Sequence, residues 1–153
     1  MKWKHPPIIK IYEALGTIAD GRVEVTANTA KVYSSSRNKF YDVTYDPERS
    51  AIMANDNGSY WTGKLGYPAI AYLLKVGVLP YESDLAQLLK DVAWKDVNQK
   101  FKNNFDKSLE HILSKVDQNK TEELESYARS LEKGIEKLNL SLLGKRALPP
   151  SGY

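Results

Sequence analysis

Apolar residues at positions 8, 11, 12, 15, 18 and 19 recur at the spacing of one helix face, which predicts an amphipathic helix over residues 7–21. Pro7 suits its first turn and Gly21 the left-handed position after its last. Gly16 inside it costs roughly 1 kcal/mol against alanine, so this helix depends on packing. From Arg22 the period falls to two. Residues 22–26 and 30–34 alternate, placing Val23, Val25, Ala30 and Val32 inward and Arg22, Glu24, Lys31 and Tyr33 outward. Further strands are predicted at 39–45 and 50–54, separated by a type I turn with Pro47 in second position. Together they form a four-stranded antiparallel meander, with Tyr41, Val43 and Tyr45 sharing one face.

Asn55-Asp56-Asn57-Gly58 ends the sheet, since these residues tolerate positive φ and bond their own backbone. Pro68 then opens a short helix closed by Gly77 and Pro80. Ala69, Ile70, Leu73, Leu74 and Val76 leave it almost no polar face, which predicts a central helix covered on several sides. Residues 40–80 are thus the scaffold around which the chain is organised.

Beyond Pro80 helix formers dominate, with no glycine until Gly134 and no proline until Pro149. Ser83 is a candidate N-cap. Leu85, Leu88, Leu89, Val92, Val97, Phe101 and Phe105 mark a face, Asn103-Asn104 a bend, and Leu109, Ile112 and Val116 a continuation. At 1.5 Å per residue this stretch would reach ~50 Å and project from the sheet. Leu124, Ala128, Leu131, Ile135, Leu138 and Leu142 follow at heptad spacing, closed by Gly144. That stripe can pair within the chain or between chains, and a symmetric homo-oligomer, a dimer first, is the expectation.

The fold expectation is α+β, one structural domain with three parts: an α+β sheet region over 1–80, a C-terminal helical hairpin over 81–144, and a flexible tail over 145–153.

Composition narrows the chemistry. The 153 residues are 42% hydrophobic and 27% charged, as in globular domains. No apolar run approaches the ~20 residues that cross a bilayer, and the amino terminus lacks an apolar signal core. No membrane is expected, and the default location is cytoplasmic. There is no cysteine, and only His5 and His111, which argues against disulfides, thiolate chemistry and a histidine-built metal centre. His5 falls in a terminus expected to be mobile, and His111 lies off the apolar stripe. The net charge of +3 is spread along the chain, less than a dedicated duplex-DNA binder carries.

Several stretches were weighed as sites. The Asn55–Ser59 loop offers oxygen ligands, but an EF-hand glutamate would fall at Gly66. Ser34-Ser35-Ser36-Arg37-Asn38 resembles a phosphate cradle without the glycines of a P-loop, and reads first as a polar turn. Asp42, Asp46 and Glu48 read as a solvated turn. Basic and aromatic residues interleave at Lys31, Tyr33, Arg37, Lys39, Arg49, Tyr60, Trp61 and Lys64, a pattern able to stack bases and hold phosphates. With Asn55 and Asp56 these form the candidate binding surface, and nucleic acid is a candidate partner. No catalytic constellation and no cofactor motif is present in the pattern.

Residues 39–76 resemble the SWIM-type ββα unit through Tyr41-Asp42-Val43 and the run from Tyr67 to Leu74. That family's zinc ligands would fall at Met53, Asn55, Tyr67 and Ala69, none of them suited to zinc as such a site requires. The resemblance implies an interaction or DNA-associated module in which packing of Tyr60, Trp61 and Tyr67 replaces the metal.

The functional expectation is a non-enzymatic, self-associating binding module. The competing expectation is a small-molecule binding protein or enzyme with a pocket near Tyr60, Trp61 and Tyr67.

Overall fold

The computed structural model describes residues 1–151. Its order is α1 (Ile9–Ala19), β1 (Val23–Thr26), β2 (Thr29–Tyr33), β3 (Phe40–Asp46), β4 (Ala51–Ala54), α2 (Asn57–Thr62), α3 (Tyr67–Lys75), α4 (Ser83–Ala86) with a 3-10 turn at Gln87–Leu89, α5 (Trp94–Lys100), α6 (Phe105–Lys115), α7 (Thr121–Leu138) and β5 (Ser141–Leu142). The protein is α+β, as its periodicities predict.

The strands lie in the order β1-β2-β3-β4-β5. The first four form the antiparallel meander, with Val32 facing Val23 and Tyr41, and Val43 facing Ala30 and Ala54. Ala30, Val32, Tyr41, Val43 and Tyr45 point into the core. Val25 does not: it sits on the edge strand, 38% exposed.

Helix α3 covers the inner face of β1 to β4, and α1 lies on α3. Pro68 to Leu74 are all buried, as a central helix requires. Helix α1 is equally central, because α4, the 3-10 turn, α6 and α7 cover its other side. Gly16 is explained there. A methyl group on it would stand 2.8 Å from Trp94 Nε1 and 3.0 Å from the Leu89 carbonyl, so glycine admits the chain that crosses the helix.

The helical half differs from the expected long hairpin. Residues 84–116 do not run as one projecting helix. Asp91, Lys102 and Asn103 all have positive φ, and these left-handed residues divide the stretch into α4, α5 and α6. Asn104 caps α6 by accepting from the Lys107 amide at 3.3 Å. The breaks turn the segment back across α1, so Leu85, Leu89 and Trp94 are buried.

The heptad stripe also needs correction. Leu124, Ala128, Leu131 and Ile135 are buried in the chain's own core, and Leu138 packs against it, so these five do not form a free oligomer face. Helix α7 ends at Asn139 in the left-handed region (φ 48°), five residues before Gly144. Leu142 therefore belongs to β5, which pairs parallel to Ala51 and Ile52 of β4.

The residues around this fifth strand also fix the amino-terminal segment. The Trp3 amide donates to the Leu140 carbonyl at 3.0 Å, the Leu142 amide to the Met1 carbonyl at 2.8 Å, and Trp3 Nε1 to the Ile52 carbonyl at 2.8 Å. The amino terminus is accordingly ordered, and His5 stands 3.9 Å from Glu132. In the expected tail, Arg146 Nη1 donates to the Tyr60 carbonyl at 2.9 Å, while Gly152 and Tyr153 lie outside the described residues.

Candidate functional site

A polar cavity of about 340 Å³ opens where α1, the β2–β3 turn and α5 meet. Helix α1 contributes Lys10, Glu13 and Thr17, which at spacings of three and four share one face. This face carries the polar stripe of a helix otherwise sunk in the core. Arg22 borders it after the helix, and Ser34 and Ser35 border it from the β2–β3 turn. Tyr41, Asn57 and Tyr67 form the wall nearest the sheet. Helix α5 closes the other side with Trp94, Lys95, Asn98 and Gln99, followed by Asn103.

Glu13 is the central group. It is only 4% exposed, accepts from Asn98 Nδ2 at 3.3 Å through Oε1, and holds Lys10 Nζ at 2.9 Å from Oε2 as an ion pair. Burial pushes its carboxyl above the usual range, and the Lys10 ammonium pulls the other way. The nearby charge of Asp56 adds to the rise. Tyr67, in edge contact with Tyr41 at 6.2 Å between ring centres, has its phenol pushed up by burial and by Tyr41.

Not every polar group here is satisfied. Asn98 is 8% exposed, yet its Oδ1 has no hydrogen-bond partner among the described residues, and neither has Trp94 Nε1. Buried polar atoms left unpaired are uncommon and costly, by about 1–3 kcal/mol each. Trp94 Nε1 packs against Gly16 inside the contact with α1, so Asn98 Oδ1 is the unpartnered atom on the α5 wall.

Arg22 and Asp20 hold the rim. Arg22, expected outward from strand alternation, is 2% exposed. Its Nε lies 3.2 Å from Asp20 Oδ2 and its Nη1 donates to the Tyr33 carbonyl at 2.8 Å. Asp20 Oδ1 in turn accepts from the Asp91 amide at 2.7 Å, and Ser35 Oγ from the Lys95 amide at 3.4 Å. The loop before α5 is thus tied to the far side of the cavity at two points.

The candidate surface residues are dispersed. Lys31 stands opposite both Glu24 and Asp42 and lies 4.9 Å from the Phe40 ring centre, so acidic neighbours flank it on the open sheet face. Tyr33 donates to Glu24 at 3.3 Å, and Arg37 to the Asp20 carbonyl at 2.7 Å. Lys39 lies over Tyr41, and Arg49 is at the β3–β4 turn beside Asp46. Lys64 is bridged to Lys4. These cations do not converge on one face.

Residues 55–61 divide between two roles. Asn55 Oδ1 accepts from the Asp42 amide at 2.8 Å and ends the β3–β4 ladder. Asp56 is buried and caps α2, accepting from the Ser59 amide at 3.2 Å and hydroxyl at 2.6 Å. Asn57 reaches the cavity, whereas Tyr60 and Trp61 do not. Trp61 is 68% exposed and meets Tyr60 edge-on at 4.7 Å. Of the four positions matched to SWIM ligands, Ala69 is fully buried, Asn55 caps the ladder, and Tyr67 walls the cavity.

Glu13, Asn98 and Trp94 were not expected as site residues. One signal was present: an interior helix glycine between Glu13 and Thr17 marks a close crossing, and here the crossing chain supplies the cavity's second wall.

Among the described residues no three His, Asp or Glu side chains converge. What this arrangement offers is hydrogen bonding, charge and a carboxyl able to hold a proton. Fold and cavity together define an α+β domain with a ligand-sized polar pocket between its first helix and its fifth. The chain belongs to the family described as Uncharacterised conserved protein UCP014422, whose model matches residues 3–141 and so spans the whole cavity. No curated protein and no solved structure matches it. No helix among the described residues is long and apolar enough to cross a membrane.

Proposed function

We propose that this protein binds a small polar molecule in the α1–α5 cavity. The observation that carries the reading is the buried Glu13 carboxyl on the wall of a polar cavity, beside Asn98, whose Oδ1 has no partner among the described residues. Its volume lies at the lower end of the range of small-molecule sites, and a few fixed polar groups among aromatic walls are what orient such ligands. Of Tyr60, Trp61 and Tyr67, the three residues expected around a pocket, Tyr67 alone lines this one. The test is a ligand-observed NMR screen of polar metabolites, repeated on Asn98→Leu, which removes both polar atoms of that side chain from the site. Binders lost in that variant support the reading; binders unaffected by it count against it.

Self-association is a second reading, and one observation favours it. Trp61 exposes most of a large aromatic ring while resting on Tyr60, the kind of side chain that anchors interfaces. Sedimentation of wild type and Trp61→Ala across a hundredfold concentration range decides it: a dimer lost in the variant supports the contact, and a monomer throughout removes it. Nucleic acid as the partner calls for binding that weakens steeply with salt, and a flat response excludes it.

A further inference from the structure

We propose that the protein holds single-stranded nucleic acid on a second surface, where the amino-terminal segment, the end of α2 and the stretch after β5 meet. Trp61 stacks on a base there, and Lys2, Lys4, Lys64 and Arg146 hold phosphates. This surface is separate from the cavity, and neither reading depends on the other.

Folding gathers at this place the parts of the chain that hold no acid. Residues 1–12, 57–81 and 137–153 contain none of the 19 Asp and Glu. Residues 1–4 run extended between two neighbours, with Lys2 paired antiparallel to Ser141 and Lys4 parallel to Lys64. The Lys4 amide donates to the Gly63 carbonyl at 2.9 Å, and the Leu65 amide to the Lys4 carbonyl at 3.1 Å. Alternation then sorts the side chains. Trp3 and Leu65 turn in to the core, while Lys2, Lys4 and Lys64 share the outer face, where all three are exposed. Arg146 joins them: its Nη1 donates to the Tyr60 carbonyl at 2.9 Å, and a methyl group on Gly63 would stand 2.7 Å from its Nη2.

These four cations make no ion pair among the described residues. Lys2 and Arg146 are held by neutral acceptors, the Asn139 and Tyr60 carbonyls, which leave their charge uncompensated. Acids border the surface at its edges. Glu132 faces His5, Glu136 lines the hollow that Lys4 and His5 share, and Asp46, two strands over from Ser141, is paired with Arg49. A surplus of positive charge survives these pairings.

The aromatic part selects the ligand. Trp61, two residues before Gly63, is largely exposed, and Tyr60 meets it edge-on with the ring planes at 88°. At least one face of the indole is left open by that contact. An open π-face beside unpaired cations is what single strands use, since every base can stack and every phosphate is charged. A duplex keeps its bases stacked on one another and gains nothing from the ring. A membrane surface is met by several apolar side chains inserting together. Here the face offers lysines and one indole, and the exposed Met1 is engaged by Arg146 through its sulfur.

The experiment titrates the full chain into labelled oligothymidine, oligouridine and duplex DNA of about 15 units each, read by fluorescence anisotropy over a range of salt, with tryptophan emission followed alongside. Single strands should bind more tightly than the duplex, quench the emission, and lose affinity with salt at a log–log slope of about −3, four phosphates at about 0.7 each. Preference for oligouridine identifies RNA, preference for oligothymidine DNA, and equal affinity a surface indifferent to the sugar. Trp61→Ala should weaken binding on the order of tenfold, remove most of the quench and leave the slope unchanged. Lys4→Gln combined with Lys64→Gln should lower the slope by about 1 and keep the quench. A duplex bound as tightly as single strands, binding unchanged in Trp61→Ala, or no binding at low salt overturns the proposal. So does binding to phosphatidylserine vesicles that single strands do not compete away, which assigns the surface to a membrane. A dimer held through Trp61 that single strands do not dissociate overturns it as well.

Discussion

A methyl group on Gly66 would stand 2.7 Å from Asp56 Cγ and closer still to Oδ2. The buried cap of α2 therefore rests directly on the residue that precedes α3. Asp56 is held there by the amide and hydroxyl of Ser59, and Gly66 takes an ordinary φ of −92°. Glycine is needed at this position for space, not for conformation. The contact sets α2 against α3 and so places Asn57 and Tyr67 on the cavity wall.

Gly66→Ala should cost about 3 kcal/mol, the range of a buried overlap with a short, anchored side chain. Urea denaturation measures it. A loss below about 0.5 kcal/mol would mean that Asp56 moves aside freely and is no fixed cap.

Gly16→Ala sets two effects against each other. Helix propensity favours alanine by about 1 kcal/mol, while the new methyl meets Trp94 Nε1 and the Leu89 carbonyl, the second of which is backbone. Overpacking of this kind costs about 1–3 kcal/mol, so the variant should be less stable on balance. A raised Tm would show that the segment before α5 does not press on α1.

The pH dependence of stability follows from burial of Glu13. Its folded carboxyl holds a proton more tightly than its unfolded one, whose ordinary value is 4.5. The folded state thus binds more protons above that pH, and stability falls as pH rises from there through the raised folded value. Asp56, raised for the same reason, acts in the same direction. The stability difference between wild type and Glu13→Gln isolates the first group: it should shift against wild type between pH 5 and pH 8. Each tenfold in proton affinity is worth about 1.4 kcal/mol. A difference that stays flat across this range would place Glu13 in a charged, well-solvated state.

Leu131 is fully buried on α7, and Tyr127 of the same helix donates to the Pro80 carbonyl at 2.8 Å. Leu131→Ala should therefore cost about 2–5 kcal/mol, with the same loss at every protein concentration. A loss that grows on dilution would instead put the stripe between chains.

Much of the scaffold was legible because its signals are local. Strand alternation places Val32 and Val43 inward whatever lies far away, and the apolar run after Pro68 can only be central. Arg22 departs from the same rule, because its guanidinium turns in to Asp20 and the Tyr33 carbonyl. The break-up of residues 84–116 was legible at one of its points. Asn103-Asn104 marks the bend before α6, where Asn103 is left-handed and Asn104 caps the helix, whereas the left-handed Asp91 has neither glycine nor proline beside it to announce the earlier break. Leu142 kept the heptad spacing yet lies beyond the helix end, which Asn139 sets. The cavity was the least legible part. Glu13, Ser35, Tyr67 and Asn98 come from separate segments, and only tertiary folding brings them together. The hints were the polar stripe of Lys10, Glu13 and Thr17 on a helix with a glycine in its middle, and the serine turn that lends Ser34 and Ser35 to the wall.

Crystals of the protein soaked in a cocktail of small polar fragments test the central claim most directly. The account predicts an ordered fragment in the α1–α5 cavity, hydrogen-bonded to a polar side chain of its wall such as Asn98 and within reach of Lys10. Fragments ordered elsewhere on the surface, with the cavity closed by its own side chains, would contradict it.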